Sequence, residues 1–235
     1  IVRSRESMLS GSQQNIKRIM VSPIHGGENA VYVASSLEEN AIITDVFALK
    51  DGHFTNVSLS NESGTSVHTL RNYYVYADDI DDDGVAELPY LIKMNMLDST
   101  ASADRQNLIR WYAMKSDGTE ETKLYTFHNF VGGWYMRLEK EWAEQISVKP
   151  IGNSFEFYLC EEDGVGAEKI LTLYAFAGQD RESLSTDDGR LVLMKTESVI
   201  YSARLEGNAE KLGVGRDAVI NSFRLIQQDW KTGEM

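Results

Sequence analysis

The sequence predicts a mainly β protein with an α+β second domain: two four-stranded, propeller-like blades, then an antiparallel sheet with a C-terminal helix. Three observations lead there. Short runs rich in β-branched and aromatic residues recur throughout residues 16–130. Asp-Gly dipeptides stand at matching places in two successive halves of that stretch. Beyond residue 131 the runs change spacing, and the chain closes on apolar residues three and four apart.

In the first half the strand-like runs are 16–21, 30–34, 41–49 and 53–59, with Asp51-Gly52 between the last two. Glycine takes positive φ without steric penalty, so this dipeptide suits a two-residue hairpin turn. In the second half the runs are 72–77, 88–94, 108–114 and 123–130, with Asp117-Gly118 again before the fourth. Four strands and a turn, repeated at a period of about 50 to 60 residues, is the pattern of propeller blades. An eight-stranded sandwich fits the same runs and stays open. Two blades cannot close a ring, so sequence upstream is expected to supply the rest. Residues 97–105 are small and polar and are expected to form a surface loop.

The first domain is taken as 1–130 and the second as 131–235. The second begins with a strand at Gly132-Gly133-Trp134-Tyr135, followed by a helical turn around Trp142 within 138–145. Strands are predicted at 154–160, 170–176, 191–195 and 199–205, punctuated by Asp163-Gly164 and Asp188-Gly189. Val219, Ile220, Phe223, Ile226 and Trp230 predict one face of a terminal helix.

Composition narrows the function classes. Hydrophobic residues make up 42% and charged residues 25%, the balance of a folded globular chain. The net charge of −13 disfavours nucleic acid and anionic membrane surfaces, since both recruit clustered Lys and Arg. No apolar run approaches the ~18 residues of a membrane span. The single cysteine, Cys160, excludes an internal disulfide and reads as a small buried hydrophobe. The chain opens Ile-Val-Arg-Ser-Arg-Glu and is read as a piece of a longer protein, whose missing N-terminus leaves room for a lipid anchor.

The chemistry-bearing segment is Asp79-Ile80-Asp81-Asp82-Asp83-Gly84-Val85-Ala86-Glu87. Carboxylates at loop positions 1, 3, 5 and 9 can converge on one point, and Gly84 at position 6 permits the sharp turn. A hard cation such as Ca²⁺ takes six to eight oxygens at about 2.3–2.6 Å, and the Val85 carbonyl is placed to add one. Without a cation, carboxylates held so close repel one another. Asp78 and Asp82 are expected to face water. A helical EF-hand is excluded, because its twelfth position here is Tyr90 and Pro89 disfavours a helix after the loop. The corresponding first-half stretch, 22–28, keeps glycines but lacks the acidic triplet, so one metal site is expected.

This loop resembles the FG-GAP repeat of integrin-type β-propellers, which carries Asp-x-Asp-x-Asp-Gly-x-x-Asp between the first two strands of a blade. Asp79, Asp81 and Asp83 fill its first three positions, Val85 the carbonyl position and Glu87 the ninth, where Glu is a departure with longer reach. More widely, the chain resembles the C-terminal part of bacterial extracytoplasmic lipoproteins built from such blades. Gly133-Trp134-Tyr135 and Trp142 make the second domain similar to the PsbP-type fold, with Glu141 where that fold usually has proline. The resemblance implies a cell-surface or secreted location, where ~millimolar calcium fills a site of about 10⁻⁴ to 10⁻³ M.

Other signals are weaker. His25, His53, His68 and His128 show no metal-ligand spacing, and no Gly-x-Ser-x-Gly elbow occurs. Gly213-x-Gly215-x-x-Ala218 lacks the βαβ context of a dinucleotide site and reads as a helix entry. Tyr73, Tyr74, Tyr76, Tyr90, Trp111, Trp134 and Trp142 are chiefly packing candidates. The expectation is a calcium-stabilised binding or scaffold module of the cell envelope with a protein or glycan partner. The alternative is a glycan-directed extracellular hydrolase with a structural calcium; a small-ligand groove near Trp134 and Trp142 ranks third.

Overall fold

A computed structural model describes residues 9–38, 41–94, 107–160, 167–207, 209, 213–228 and 230; the expectations for residues 97–105 and for Asp163-Gly164 lie outside them. The fold is mainly β, with three antiparallel sheets and a C-terminal helix; no closed sheet occurs among the described residues. The chain packs as two compact units.

The first unit gathers the described residues up to Leu91, Ile109–Leu124, and the segment from Ile226 onward. Its first sheet is a meander of β1 (Ile16–Pro23), β2 (Asn29–Glu38), β3 (Ala41–Lys50) and β4 (His53–Asn56), paired in sequence order. Central strand β3 is buried continuously from Ile42 to Ala48, which matches its unbroken run of mostly apolar residues. Edge strand β1 never reaches full burial. Lys50 pairs with His53 across Asp51 (φ 51°) and Gly52 (φ 77°), the two positive φ values of a type I′ turn. Strand β4 ends three residues before the predicted limit. There the Asn56 side-chain oxygen accepts the Ser58 N–H at 3.1 Å, a local turn that takes the chain off the ladder.

Asp45 lies fully buried in β3 and is satisfied by four donors. Ser10 Oγ, Ser66 Oγ and Asn56 Nδ2 donate to Oδ1 at 2.6, 2.5 and 2.8 Å, and the Ser10 N–H donates to Oδ2 at 2.8 Å. The predicted strand at 72–77 does not form. Arg71 instead pairs its backbone with Ile42, and its guanidinium Nε takes the Val75 carbonyl that a ladder would need. Val75, Tyr76 and Ala77 are buried in succession, without the alternation of a half-buried strand. The core here joins Ile24, Tyr32, Val46, Leu88, Tyr112 and Met114.

Strands β5 (Glu87–Lys93), β6 (Asn107–Met114), β7 (Glu120–Asn129), β8 (Trp134–Leu138) and a late strand, Phe223–Leu225, form a sheet in the order late strand, β8, β7, β6, β5. The second set of four predicted strands thus loses its first member.

The second unit gathers Ile92–Leu108 and Tyr125–Leu225. After the short helix α1 (Lys140–Ala143) come β9 (Ile146–Ile151), β10 (Ser154–Leu159), β11 (Glu168–Ala177), α2 (Arg181–Thr186), β12 (Leu191–Lys195), β13 (Val199–Leu205), α3 (Arg216–Ser222) and β14, the late strand. The sheet order is β12-β13-β11-β10-β9. Strand β9, unpredicted, occupies an edge, where Pro150 forfeits no essential ladder bond. Its core gathers Phe127, Trp134, Trp142, Phe157, Leu173, Val219 and Phe223. Trp134 meets Phe155 edge-on, with ring centroids 5.2 Å apart.

The terminal helix is shorter than predicted. Gly215 caps α3, which confirms the helix entry, but α3 stops at Ser222 and Phe223–Leu225 pairs with β8. Ile220 is 37% exposed, so the apolar spacing did not mark one helical face. Trp230 belongs to the first unit, where it stacks on Trp111 at 5.7 Å.

Candidate metal centre

The acidic loop is closed at its base by backbone pairing. Asp78 N–H donates to Glu87 O at 3.1 Å and Glu87 N–H to Asp78 O at 2.8 Å. The Asp78 side chain does not simply face water: Oδ1 accepts the Asp79 N–H, and Oδ2 accepts Gln227 Nε2 at 2.9 Å. Ile80 is buried and anchors the loop's near side, while Asp82 is exposed in the left-handed region at φ 67°. Gly84, at φ 85°, completes the turn that returns the chain toward β5.

Within this frame Asp79, Asp81 and Glu87 each offer a carboxylate oxygen, and the three oxygens lie within 4.8 Å of one another. One cation with bonds of about 2.3–2.6 Å can bridge that spread. The donors are all hard oxygens, with neither thiolate nor imidazole, which suits Ca²⁺ or Mg²⁺ far better than zinc or copper. The Asp79 carboxylate also accepts the Asp83 and Gly84 N–H groups, both at 2.9 Å, which fixes its orientation. Glu87 is fully buried; Oε2 accepts the Ile80 N–H at 3.1 Å, while Oε1 has no hydrogen-bond partner. A buried carboxylate oxygen left bare is costly, and a bound cation would satisfy it.

The electrostatics agree. Burial, then the charges of Asp81, Asp83 and Asp79, push the Glu87 carboxyl up to about 8 against the opposing Ile80 N–H. Asp81 is raised by burial and by Asp83. Asp83 is instead held below the usual carboxylate range by Lys123, whose ammonium is raised in turn.

Of the five predicted ligands, the structure brings Asp79, Asp81 and Glu87 together. Asp83 is turned aside: Oδ2 pairs with Lys123 Nζ at 2.9 Å, and Oδ1 accepts the Val85 N–H at 2.8 Å. Val85 contributes that N–H and is half buried. Lys123 was not identified from sequence. It stands in β7, forty residues past Asp83, and no local pattern ties it to the loop.

Two clefts lie elsewhere. In the first unit a polar cleft of ≈ 390 Å³ is lined by Ser58, Asn61, Glu62, His68, Tyr112 and Glu120 among others. Glu120 is held there by Arg110 at 2.7 Å and His68 at 3.3 Å. In the second unit a cleft of ≈ 640 Å³ is lined by His128, Phe130, Trp134, Phe155 and Tyr201 among others. Trp142 is buried in the core and does not line it. No helix among the described residues is long and apolar enough to cross a membrane. Comparison with protein-family models, with curated proteins and with solved structures finds no match.

Proposed function

We propose that the chain is a calcium-stabilised binding or scaffold module of the cell envelope, in which the cation fastens the loop from Asp79 to Glu87 and the sheet surfaces serve recognition. The observation that carries this reading is Glu87: a fully buried carboxylate whose Oε1 lacks a partner, beside two further carboxylates within bridging distance. Calcium is favoured over magnesium because three carboxylates, with Asp83 near enough in sequence to add a further oxygen, exceed the one or two that magnesium usually takes. The FG-GAP-like assignment is proposed for residues 1–130, supported by the four-stranded meander of the first sheet and by the acidic loop that leads into β5, and the PsbP-like assignment for residues 131–235. With those goes an extracytoplasmic location, as a lipid-anchored or secreted protein recognising a protein or glycan.

The test is a thermal melt of chelator-treated protein, titrated with calcium and repeated on Asp81→Ala. At ten times its dissociation constant a ligand stabilises by about 1.4 kcal/mol, a shift of a few degrees. The parent is expected to respond and the variant not to; equal behaviour would remove the metal from the reading.

A second reading, a glycan-directed hydrolase, draws on the polar cleft that holds Glu62, His68 and Glu120. The Arg110 and His68 contacts favour a structural carboxylate at Glu120, since a general acid needs a proton to give. No glycan turnover by the parent would dispose of that alternative, and turnover unchanged in Glu120→Gln would remove Glu120 as its acid.

A further inference from the structure

The acidic loop carries a fourth carboxylate that faces the wrong way for a metal. Asp83 completes the alternate spacing of Asp79 and Asp81, yet both of its oxygens are engaged outside the cluster. One takes the Val85 N–H at 2.8 Å, and the other the Lys123 ammonium at 2.9 Å. The Lys123 side chain is only 17% exposed, so its charge sits against the loop and not out in solvent. Glu87 Oε1, in the same cluster, remains buried without a partner. Lys123 thus pairs directly with one carboxylate, Asp83, and reaches Asp81 only through space, so that none of Asp79, Asp81 and Glu87 has an ion-pair partner of its own among the described residues. It also has a second acceptor within reach: Glu121 Oε1 lies 3.9 Å from the same nitrogen, and Glu121 Oε2 pairs with His25 at 3.0 Å.

We infer that Lys123 is a tethered counter-ion that competes with a divalent cation for Asp83, and so sets the affinity of the loop. The inference rests on the cation reading of Asp79, Asp81 and Glu87. When the metal enters, Asp83 leaves Lys123 and turns inward as a further oxygen ligand. The ammonium, repelled by the dication, moves toward Glu121 and is not stranded. Lysine suits this role because it is a compact point charge on a flexible stem, with no planar fork to hold a carboxylate bidentately. A single Lys–Asp pair, half-buried and without a second ion-pair partner on Asp83 among the described residues, is weak enough to be displaced by a dication, yet it still opposes binding. The device keeps the site in the weak range and lets the metal-free chain fold without three adjacent uncompensated aspartates.

The experiment is a calorimetric titration of calcium into the chelator-treated full chain, for the parent, Lys123→Met, Lys123→Arg, Asp83→Asn and the Asp83→Asn/Lys123→Met double variant. Far-UV circular dichroism checks that each is folded. Lys123→Met is expected to bind about tenfold tighter, from loss of the competing pair and of the repulsion between ammonium and dication. Lys123→Arg, which keeps the charge, is expected to stay within about threefold of the parent. Asp83→Asn is expected to abolish most of the gain in the double variant. If the parent binds and Lys123→Met binds no tighter, the competition is wrong while the cation site stands. A double variant as tight as Lys123→Met would equally overturn the role of Asp83. Binding by Lys123→Met but not by the parent would support the inference in a stronger form. If neither binds up to about 10 mM, beyond the weak extracellular range, the cation reading falls and this inference with it.

Discussion

Acidification offers a sharp check on the packing of the second unit, through His128. The imidazole is 8% exposed at the end of β7 and stacks on Tyr135, with centroids 4.9 Å apart and planes 15° from parallel. Phe130 lies 5.3 Å away. Burial disfavours the charged ring and pushes its pKa down from 6.5 to about 3. The sign follows from proton counting. Between pH 6.5 and 3 the unfolded chain binds a proton that the folded chain refuses, so stability falls as pH falls through that window. It is fully present above pH 6.5. At pH 5 the unfolded imidazole is almost wholly protonated, and the loss amounts to about 2 kcal/mol; by pH 3 it reaches about 4 kcal/mol. The assay is urea unfolding at pH 7.5 and pH 5.0 for the parent and for His128→Phe, which keeps an aromatic ring and removes the titration. Other groups contribute equally to both, so the difference between the two pH slopes isolates His128. The parent is expected to lose about 2 kcal/mol more than the variant. Identical slopes would mean that the ring is not held neutral by burial.

Three further outcomes test separate parts of the structure. Gly84→Ala places a Cβ at φ 85° with open space around it, so the strain is purely backbone; destabilisation by about 1 kcal/mol is expected in thermal melts, together with weaker calcium binding. Trp230→Ala removes a ring that is 1% exposed and stacked on Trp111, and a loss of about 3–5 kcal/mol is expected by denaturant unfolding. Asp45→Asn replaces an acceptor for four donors with a group that brings donors of its own; a loss of about 3 kcal/mol is expected, since buried charge-assisted bonds vanish and one partner is left facing an N–H.

The legible parts of the sequence were those governed by local rules. Strands at 191–195 and 199–205 matched residue for residue, because each is a short apolar run bounded by residues that break the ladder. The Asp51-Gly52 turn was legible because two positive φ values demand that kind of dipeptide. The illegible parts depended on distant partners. Nothing local shows that Arg71 will capture the Val75 carbonyl and unmake a strand. Nor does the spacing of Phe223 distinguish a helix face from a strand residue paired with Met136, since both bury it. In the acidic loop the alternation of carboxylates identified Asp79, Asp81 and Glu87, whereas the orientation of Asp83 was decided by Lys123 on another strand.

The anchoring of the loop by Gln227 bears on the order of assembly during synthesis. Asp78, at the foot of the loop, accepts its hydrogen bond from a side chain 149 residues further on, and Trp230 fills the space beside Trp111 in the same unit. A ribosome delivers the middle part of the first unit, Ile109–Leu124, and all of the second unit before it reaches Gln227. The second unit can therefore complete its own core while the first still waits for its last pieces. On a nascent chain the unit begun first is finished last, and the acidic loop gains its outer clamp only as residues 226–230 clear the exit tunnel.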